Sequence, residues 1–415
     1  MNDRYEYNRR LRLIIHTGKG GTGKTVISCC TAIKLAEKKY RTLVVSSDPA
    51  HTLGDAFKLS NSTKYDNIEP IQMREIVPNL HALQVDPIIE IKEQYSDILS
   101  YMASIFSSRG VDEPLAYEIA MMPGMTQLFS LLKIEQLIHT KSYDAIVLDM
   151  PASGEALRYL YFPKLVGSIG RKLTGLMGAF SGFTKMFQAF SGVSLPNRVF
   201  QYEQELFDRL NILSDIIRDN NVTSLRLVAN PDSFSIENAK RALMSASLYG
   251  INVDLAIVNK VMPTITVDKD SNEYFKKLTE FQHAKLKEAK TNFYPLSIKE
   301  VPLHSGELAG IEMLRSNANL MFGDDEDPAD IYYQGKPFSI IQQDENRLHF
   351  TVKVPFTAEK DLDITRFGSE VIIKIRSANG YLVNVIPLPM ITYNMEMLHT
   401  NLDNNVLNII FEKKF

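Results

Sequence analysis

From Leu11 to Val26 the chain reads LRLIIHTGKGGTGKTV, an apolar strand (Leu11–Ile15), then a glycine-rich turn, then a segment of helical character. The turn, Gly18-Lys19-Gly20-Gly21-Thr22-Gly23-Lys24-Thr25, fits G-x-x-x-x-G-K-[ST] in the strand-to-helix setting that gives the pattern its meaning. Glycines let successive backbone N–H groups curl around phosphates, and the helix N-terminus adds its partial positive charge. Lys24 can reach the β- and γ-phosphates, and the Thr25 hydroxyl suits Mg²⁺, so a nucleoside triphosphate with magnesium is the expected ligand pair. A second lysine inside the loop, Lys19, marks a subclass.

Around this loop, 415 residues are enough for two domains. A hydrophobic fraction of 45% with 23% charged residues is that of an ordinary globular protein. The net charge of -3 gives no electrostatic reason to expect nucleic acid. The N-terminal MNDRYEYNRR lacks the apolar core of a signal peptide, and no run of 18 apolar residues is present. The two cysteines, Cys29 and Cys30, are adjacent on the expected first helix, where a mutual disulfide would be strained. A reducing cytoplasmic setting, with at most peripheral membrane contact, is expected.

Outward from the loop, residues 24–39 read as helix, Arg41–Ser47 as a buried strand delivering Asp48, and Leu80–Asp86 as a short strand. Residues 88–108 read as helix, Tyr143–Leu148 as a strand ending at Asp149, and Ser224–Val228 and Val253–Val258 as strands around a helix over 235–249. Strands alternating with helices imply a parallel sheet covered on both faces, with ligands gathered at the strands' carboxyl ends. The loop, Asp48 and Asp149 all occupy such ends. Past Phe322, the acidic segment Gly323-Asp-Asp-Glu-Asp-Pro328 reads as a solvated linker over 323–336. Beyond it, Arg347–Pro355, Glu370–Ile375, Tyr381–Pro387 and Val406–Phe411 read as strands of a small antiparallel sandwich over 337–415.

Phosphoryl transfer requires positioning and charge neutralisation more than covalent help. Asp48 opens DPAHTLGDAF and Asp149 opens DMPASGEALRYL, so one carboxylate can activate water while the other holds Mg²⁺ through its water shell. These motifs resemble the family of arsenite-pump and tail-anchored-protein-targeting ATPases: GKGGTGKT its deviant Walker A, DPAHTLGDAF its switch I, and DMPASGEALR its switch II. The resemblance covers about residues 11–320 and includes Met122-Pro123-Gly124, Val258-Asn259-Lys260 and VPLHSGELAGIEML. It implies a homodimer with ATP held across the interface, Lys19 reaching in trans, Asp48 activating water and Asp149 linked to Mg²⁺. It also implies Asn259 at the adenine and the 302–310 loop, from Pro302, over the base. Switch II departs from the family's D-T-A-P-T-G-H, with Glu155 in the place of histidine, and no C-x-x-C is present for a zinc clasp.

Residues 165–190 carry Val166, Ile169, Leu173, Leu176, Phe180, Phe183, Phe187 and Phe190 at steps of three and four, an amphipathic helical stripe. Met102, Met121, Met122 and Met125 add flexible apolar surface suited to varied partners. In the family this region is a helical subdomain lining a client groove. The resemblance therefore implies that Met125, Leu173, Leu176, Phe180, Phe183 and Phe187 contact an apolar client helix, with a membrane receptor as a further partner. Ordinary core or dimer packing is the simpler alternative, and membrane-surface association a third.

The C-terminal segment resembles the α-crystallin, or small heat-shock, fold in TVKVPF, EVIIKI, YLVNVIPLP and NNVLNIIFE, without that family's I-x-I tail. A bacterial and plastid subgroup of the targeting ATPases combines this domain with the absence of the zinc motif. The expected fold is thus an α/β P-loop NTPase over 1–322, with mostly parallel sheet and a helical insert at about 88–140 and 160–220. The linker and an all-β, α-crystallin-like sandwich follow. The expected function is an ATPase switch that opens and closes an apolar client groove. An arsenite-efflux motor and a nucleotide-regulated holdase or scaffold are the alternatives.

Overall fold

The computed structural model describes residues 11–47, 52–59, 73–85, 125–150, 157, 160, 197–263, 273–335, 337–342, 344, 346–368, 370–377, 380–388 and 390–413. The expected helix over 88–108 and the stripe over 165–190 lie outside these residues.

The first body is built from β1 (Arg12–Thr17), α1 (Lys24–Glu37), β2 (Thr42–Ser46), α2 (Thr52–Phe57), β3 (Arg74–Val77) and β4 (Leu80–Gln84). It continues through α3 (Met125–His139), β5 (Ala145–Asp149), α4 (Asn197–Arg218), β6 (Thr223–Ala229), α5 (Ser233–Tyr249) and β7 (Val253–Val261). It closes with α6 (Glu273–Asn292), β8 (Ser297–Pro302) and α7 (Ile311–Met321). The eight strands form one sheet in the order β3-β4-β2-β5-β1-β6-β7-β8, parallel throughout except for the edge strand β3.

The two-residue period of the strands sorts the core into two layers. Ile14, Val44, Val147 and Val228 face Ile27, Ile33 and Leu314 of α1 and α7. Leu13, Val45, Leu148 and Leu227 face α3, α4 and α5 through Ile134, Leu213 and Ile236. Helices α3 and α4 are joined by Arg209, whose Nε donates to Glu135 Oε2 at 2.8 Å and whose Nη2 donates to the Leu132 carbonyl at 3.0 Å. Among the described residues, no helix is long and apolar enough to cross a membrane.

The second body is a sandwich of β9 (Phe338–Gln342), β10 (Arg347–Lys353), β11 (Leu362–Phe367), β12 (Glu370–Ser377), β13 (Gly380–Pro387), β14 (Met395–Asp403) and β15 (Val406–Lys413). All its pairings are antiparallel, in sheets ordered β14-β15-β10-β9 and β11-β12-β13. Alternation puts Leu348, Phe350 and Val352 inside with Ile409, Phe411, Val371 and Ile373. The sandwich rests on α5: the Asn384 amide donates to the Leu248 carbonyl, and the Thr357 hydroxyl lies 3.3 Å from Met244 Sδ.

The acidic segment corrects the expectation of a solvated linker. Arg12, buried on β1, donates through Nε to the Ala329 carbonyl at 2.7 Å. Arg226, fully buried on β6, pairs with Asp254 at 3.2 Å and donates to the carbonyls of Pro328 and Asp330 at 2.8 and 3.2 Å. Lys299 holds Glu326 at 2.6 Å, and the Tyr40 hydroxyl reaches Asp327 at 2.9 Å. The segment is a docked strap, because buried arginine donors need acceptors and its carbonyls supply them to Arg12 Nε and Arg226 Nη2.

Candidate active site

Gly18 ends the approach of β1 to the loop. A Cβ there would lie 2.1 Å from the Val228 carbonyl oxygen on β6, so only hydrogen fits. At the loop's other end Gly23 has φ 84, and a Cβ would sit 2.4 Å from Asn259 Nδ2. Between them Thr22 Oγ1 donates to the Lys19 carbonyl at 2.8 Å, and Lys24 Nζ reaches that same carbonyl at 3.5 Å. The Lys24 ammonium is therefore held inside the loop, 6% exposed, where a phosphate oxygen would meet it. Gly20 and Gly21 form the exposed tip.

The end of β7 grips the loop from the side. Asn259 Nδ2 donates to the Thr22 carbonyl at 2.8 Å, and Lys260 Nζ donates to the Gly21 carbonyl at 2.8 Å. Asn259 and Pro302 also line an open cleft of about 480 Å³ beside Lys24 and Thr25. Its far wall is the 303–309 segment together with Asp55 and Ala56 of α2. The Gly310 N–H donates to the Ala56 carbonyl at 2.8 Å and ties the two walls together.

On the phosphate side, Thr25 Oγ1 donates to Asp149 Oδ2 at 2.7 Å, and Ser46 Oγ donates to the same oxygen at 3.3 Å. Strand register explains the meeting: His16 on β1 and Ser46 on β2 both stand opposite Asp149, the last residue of β5. A hydroxyl and a carboxylate presenting oxygen atoms at the foot of a phosphate loop form a donor set suited to a hard cation, so the residues fit Mg²⁺. Asp48 and Glu155 lie outside the described residues, as do Leu173, Leu176, Phe180, Phe183 and Phe187, and the side chain of Met125.

Beneath the loop, His16 is fully buried with Nδ1 3.0 Å from Ser28 Oγ of α1. Burial, reinforced by the nearby Arg226 guanidinium, pushes its pKa well below the ordinary value, which keeps the imidazole neutral. Cys29 and Cys30 are fully buried on α1. Burial raises both thiols, Cys30 to about 12, against a weak opposing bond from Asn317. Ser46, Lys260, Asp55 and the 303–309 wall enter the site through tertiary structure. Lys260, Asp55 and the wall all fall within the quoted family motifs, whereas Ser46 does not.

The comparisons with known proteins agree with this geometry. Residues 11–323 match the ArsA family model of anion-transporting ATPases, and residues 345–411 match an HSP20-like domain found in ArsA. A protein of Prosthecochloris vibrioformis, provisionally named arsenical pump-driving ATPase, is 32% identical over 393 residues, covering 93% of this chain and 92% of its own. One of Aquifex aeolicus, provisionally named arsenical pump-driving ATPase 1, is 28% identical over 93% of this chain and 96% of its own. The ATPase get3 of Sclerotinia sclerotiorum is 27% identical over 75% of this chain and 90% of its own. With the ATPase model matching over most of the chain and the HSP20-like model over its C-terminal sandwich, the chain belongs to the ArsA ATPase family as an ATP hydrolase with a C-terminal HSP20-like domain.

Proposed function

We propose that this ATPase works as a Mg²⁺-dependent homodimer in which ATP-driven closure assembles an apolar groove for a client helix, such as the tail anchor of a membrane protein. The observation that carries the nucleotide half of this reading is the 2.7 Å contact of Thr25 with Asp149 beside the enclosed Lys24. When bound, Mg²⁺ would neutralise phosphate charge as it develops in the transfer. Thr25 and Asp149 hold its place, Lys24 draws the phosphate charge, and Asp48 orients the attacking water. Lys19 completes the neutralisation from the second protomer, in the manner of an arginine finger. The client half rests on the apolar stripe and on kinship with get3 ATPases. ATP favours the closed state only as far as it binds that state better, so client affinity rises with ATP by the same differential.

The names of other relatives favour a second reading, an arsenical pump motor. That chemistry calls for soft thiolates, and this chain's two thiols are buried and protonated. ATP turnover measured alone, with arsenite, and with a tail-anchored helical peptide separates the two. Stimulation by the peptide is expected, and stimulation by arsenite alone would refute the client reading. Crosslinking of clients trapped on Asp48→Asn is the complementary test, and it should recover apolar helices.

A further inference from the structure

Phe234 is the second residue of α5 and 76% exposed, an unusual place for a phenylalanine when the core lies two residues on at Ile236. Its ring is engaged by the loop lysine, Lys19, whose Nζ stands 5.3 Å from the ring centroid. The segment carrying Phe234 is held firmly against the loop. Gly18 abuts the Val228 carbonyl at the end of β6, and Asp232 caps α5 by accepting from the Ser235 N–H at 2.9 Å.

That location is a poor one for a cation. The N-terminus of a helix carries partial positive charge, which disfavours an ammonium beside it. The Asp232 carboxylate is engaged in the cap, one oxygen with the Ser235 N–H and the other with the Ser235 hydroxyl at 2.8 Å. The negative face of an aromatic ring is what makes the position tolerable, and at an exposed site such a contact is weak and reversible.

We propose that Phe234 is a positioning residue that parks Lys19 on its own protomer until a nucleotide presented by a second copy draws it away. The inference rests on the trans role of Lys19 in the proposed function and adds the element that restrains it. Parking competes with the productive placement, so it lowers turnover by the fraction of time that Lys19 spends on the ring. Exposed cation–π contacts correspond to roughly a two- to fivefold bias.

Steady-state ATP hydrolysis by the full chain tests this with Phe234→Leu and Phe234→Ala, which remove the ring, and Phe234→Tyr, which keeps it. The expected result is a kcat raised about two- to fivefold in the Leu and Ala variants, an unchanged KM for ATP, and wild-type behaviour in Tyr. In a Lys19→Ala background the Phe234 substitutions should have no further effect, since the two residues act as one unit. An unchanged or lowered kcat in Phe234→Leu overturns the parking role, as does an increase that persists without Lys19. Lys19→Ala alone distinguishes the two levels: a kcat equal to wild type overturns the trans reading itself. A lowered kcat combined with inert Phe234 variants overturns only the parking.

Discussion

Thr25 and Asp149, 124 positions apart in sequence, meet at 2.7 Å because β1 and β5 are neighbours and end level with each other. In the proposed function this contact sets the two side chains where a triphosphate's metal would be held, Asp149 through the metal's water shell. Thr25→Ala and Asp149→Asn should each lower kcat by about 10²-fold or more, the scale of losing several kcal/mol of metal-based charge stabilisation. Thr25→Ser should retain most activity. Phosphate release at saturating ATP and varied Mg²⁺ measures the effect, and a loss confined to KM would point to binding alone.

Gly18 and Gly23 limit the loop in different ways. Gly18→Ala drives a methyl into the backbone oxygen of Val228, which cannot swing aside, so the loop itself must move. Binding of a fluorescent ATP analogue should weaken at least tenfold, about 1.4 kcal/mol. Gly23→Ala meets the Asn259 amide, a side chain that can shift, but also forces a Cβ onto a backbone at φ 84, so binding should weaken there as well.

Arg226 lies with Asp254 wholly out of water. Removing the guanidinium leaves that carboxylate buried without its partner and the strap carbonyls without a donor, which costs about 3–5 kcal/mol. Urea unfolding of Arg226→Met should show this loss, and limited proteolysis should open new cleavage within 324–334. Changing Asp254 to Asn in addition should recover part of the stability.

His16 gives the acid dependence of stability a sign. The unfolded imidazole takes up a proton near pH 6.5, while the buried ring in the native state stays neutral to well below that. The unfolded state therefore binds more protons as the pH falls, and stability declines below about pH 6.5 by up to about 1.4 kcal/mol per unit. His16→Gln should flatten this decline when urea midpoints are compared between pH 5 and 7. Identical slopes in variant and wild type would assign the acid dependence to other groups.

The thiols predict an opposite dependence at high pH. With Cys30 raised to about 12 and Cys29 also raised, the native chain keeps protons that unfolded thiols release near 9, so stability falls between those values. At pH 8 a thiol reagent or a phenylarsenical should label neither cysteine in the native protein and both in urea. Rapid native labelling would reopen the arsenical reading.

The phosphate loop was legible because its chemistry is consecutive: glycines, lysine and threonine lie within eight positions of one another. Asp149 was legible because a buried strand of apolar residues ends on a charge. Four strands of the sandwich, β10, β12, β13 and β15, are legible as alternating or apolar runs between turn signals, whereas β9, β11 and β14 are not. The outer residues Ile340 and Ile341 of β9 are exposed, and β14 alternates weakly. The edge strand β3 is only four residues long, too short to declare a period. The strap misleads for a different reason. Its acidic side chains describe a solvated segment, but Arg12 and Arg226 recognise its carbonyls, which every sequence possesses.

That mode of attachment divides the tolerance of substitution unequally. Where the strap is recognised through its main chain, side chains other than those of Glu326 and Asp327 can exchange over evolutionary time while the path is kept. The two arginines on β1 and β6 cannot be exchanged without emptying sites inside the core. Variation among natural sequences should therefore be broad at Asp324, Asp325 and Asp330, and nearly absent at Arg12 and Arg226. The fastest-changing stretch of the chain would then be held by two of its slowest-changing residues.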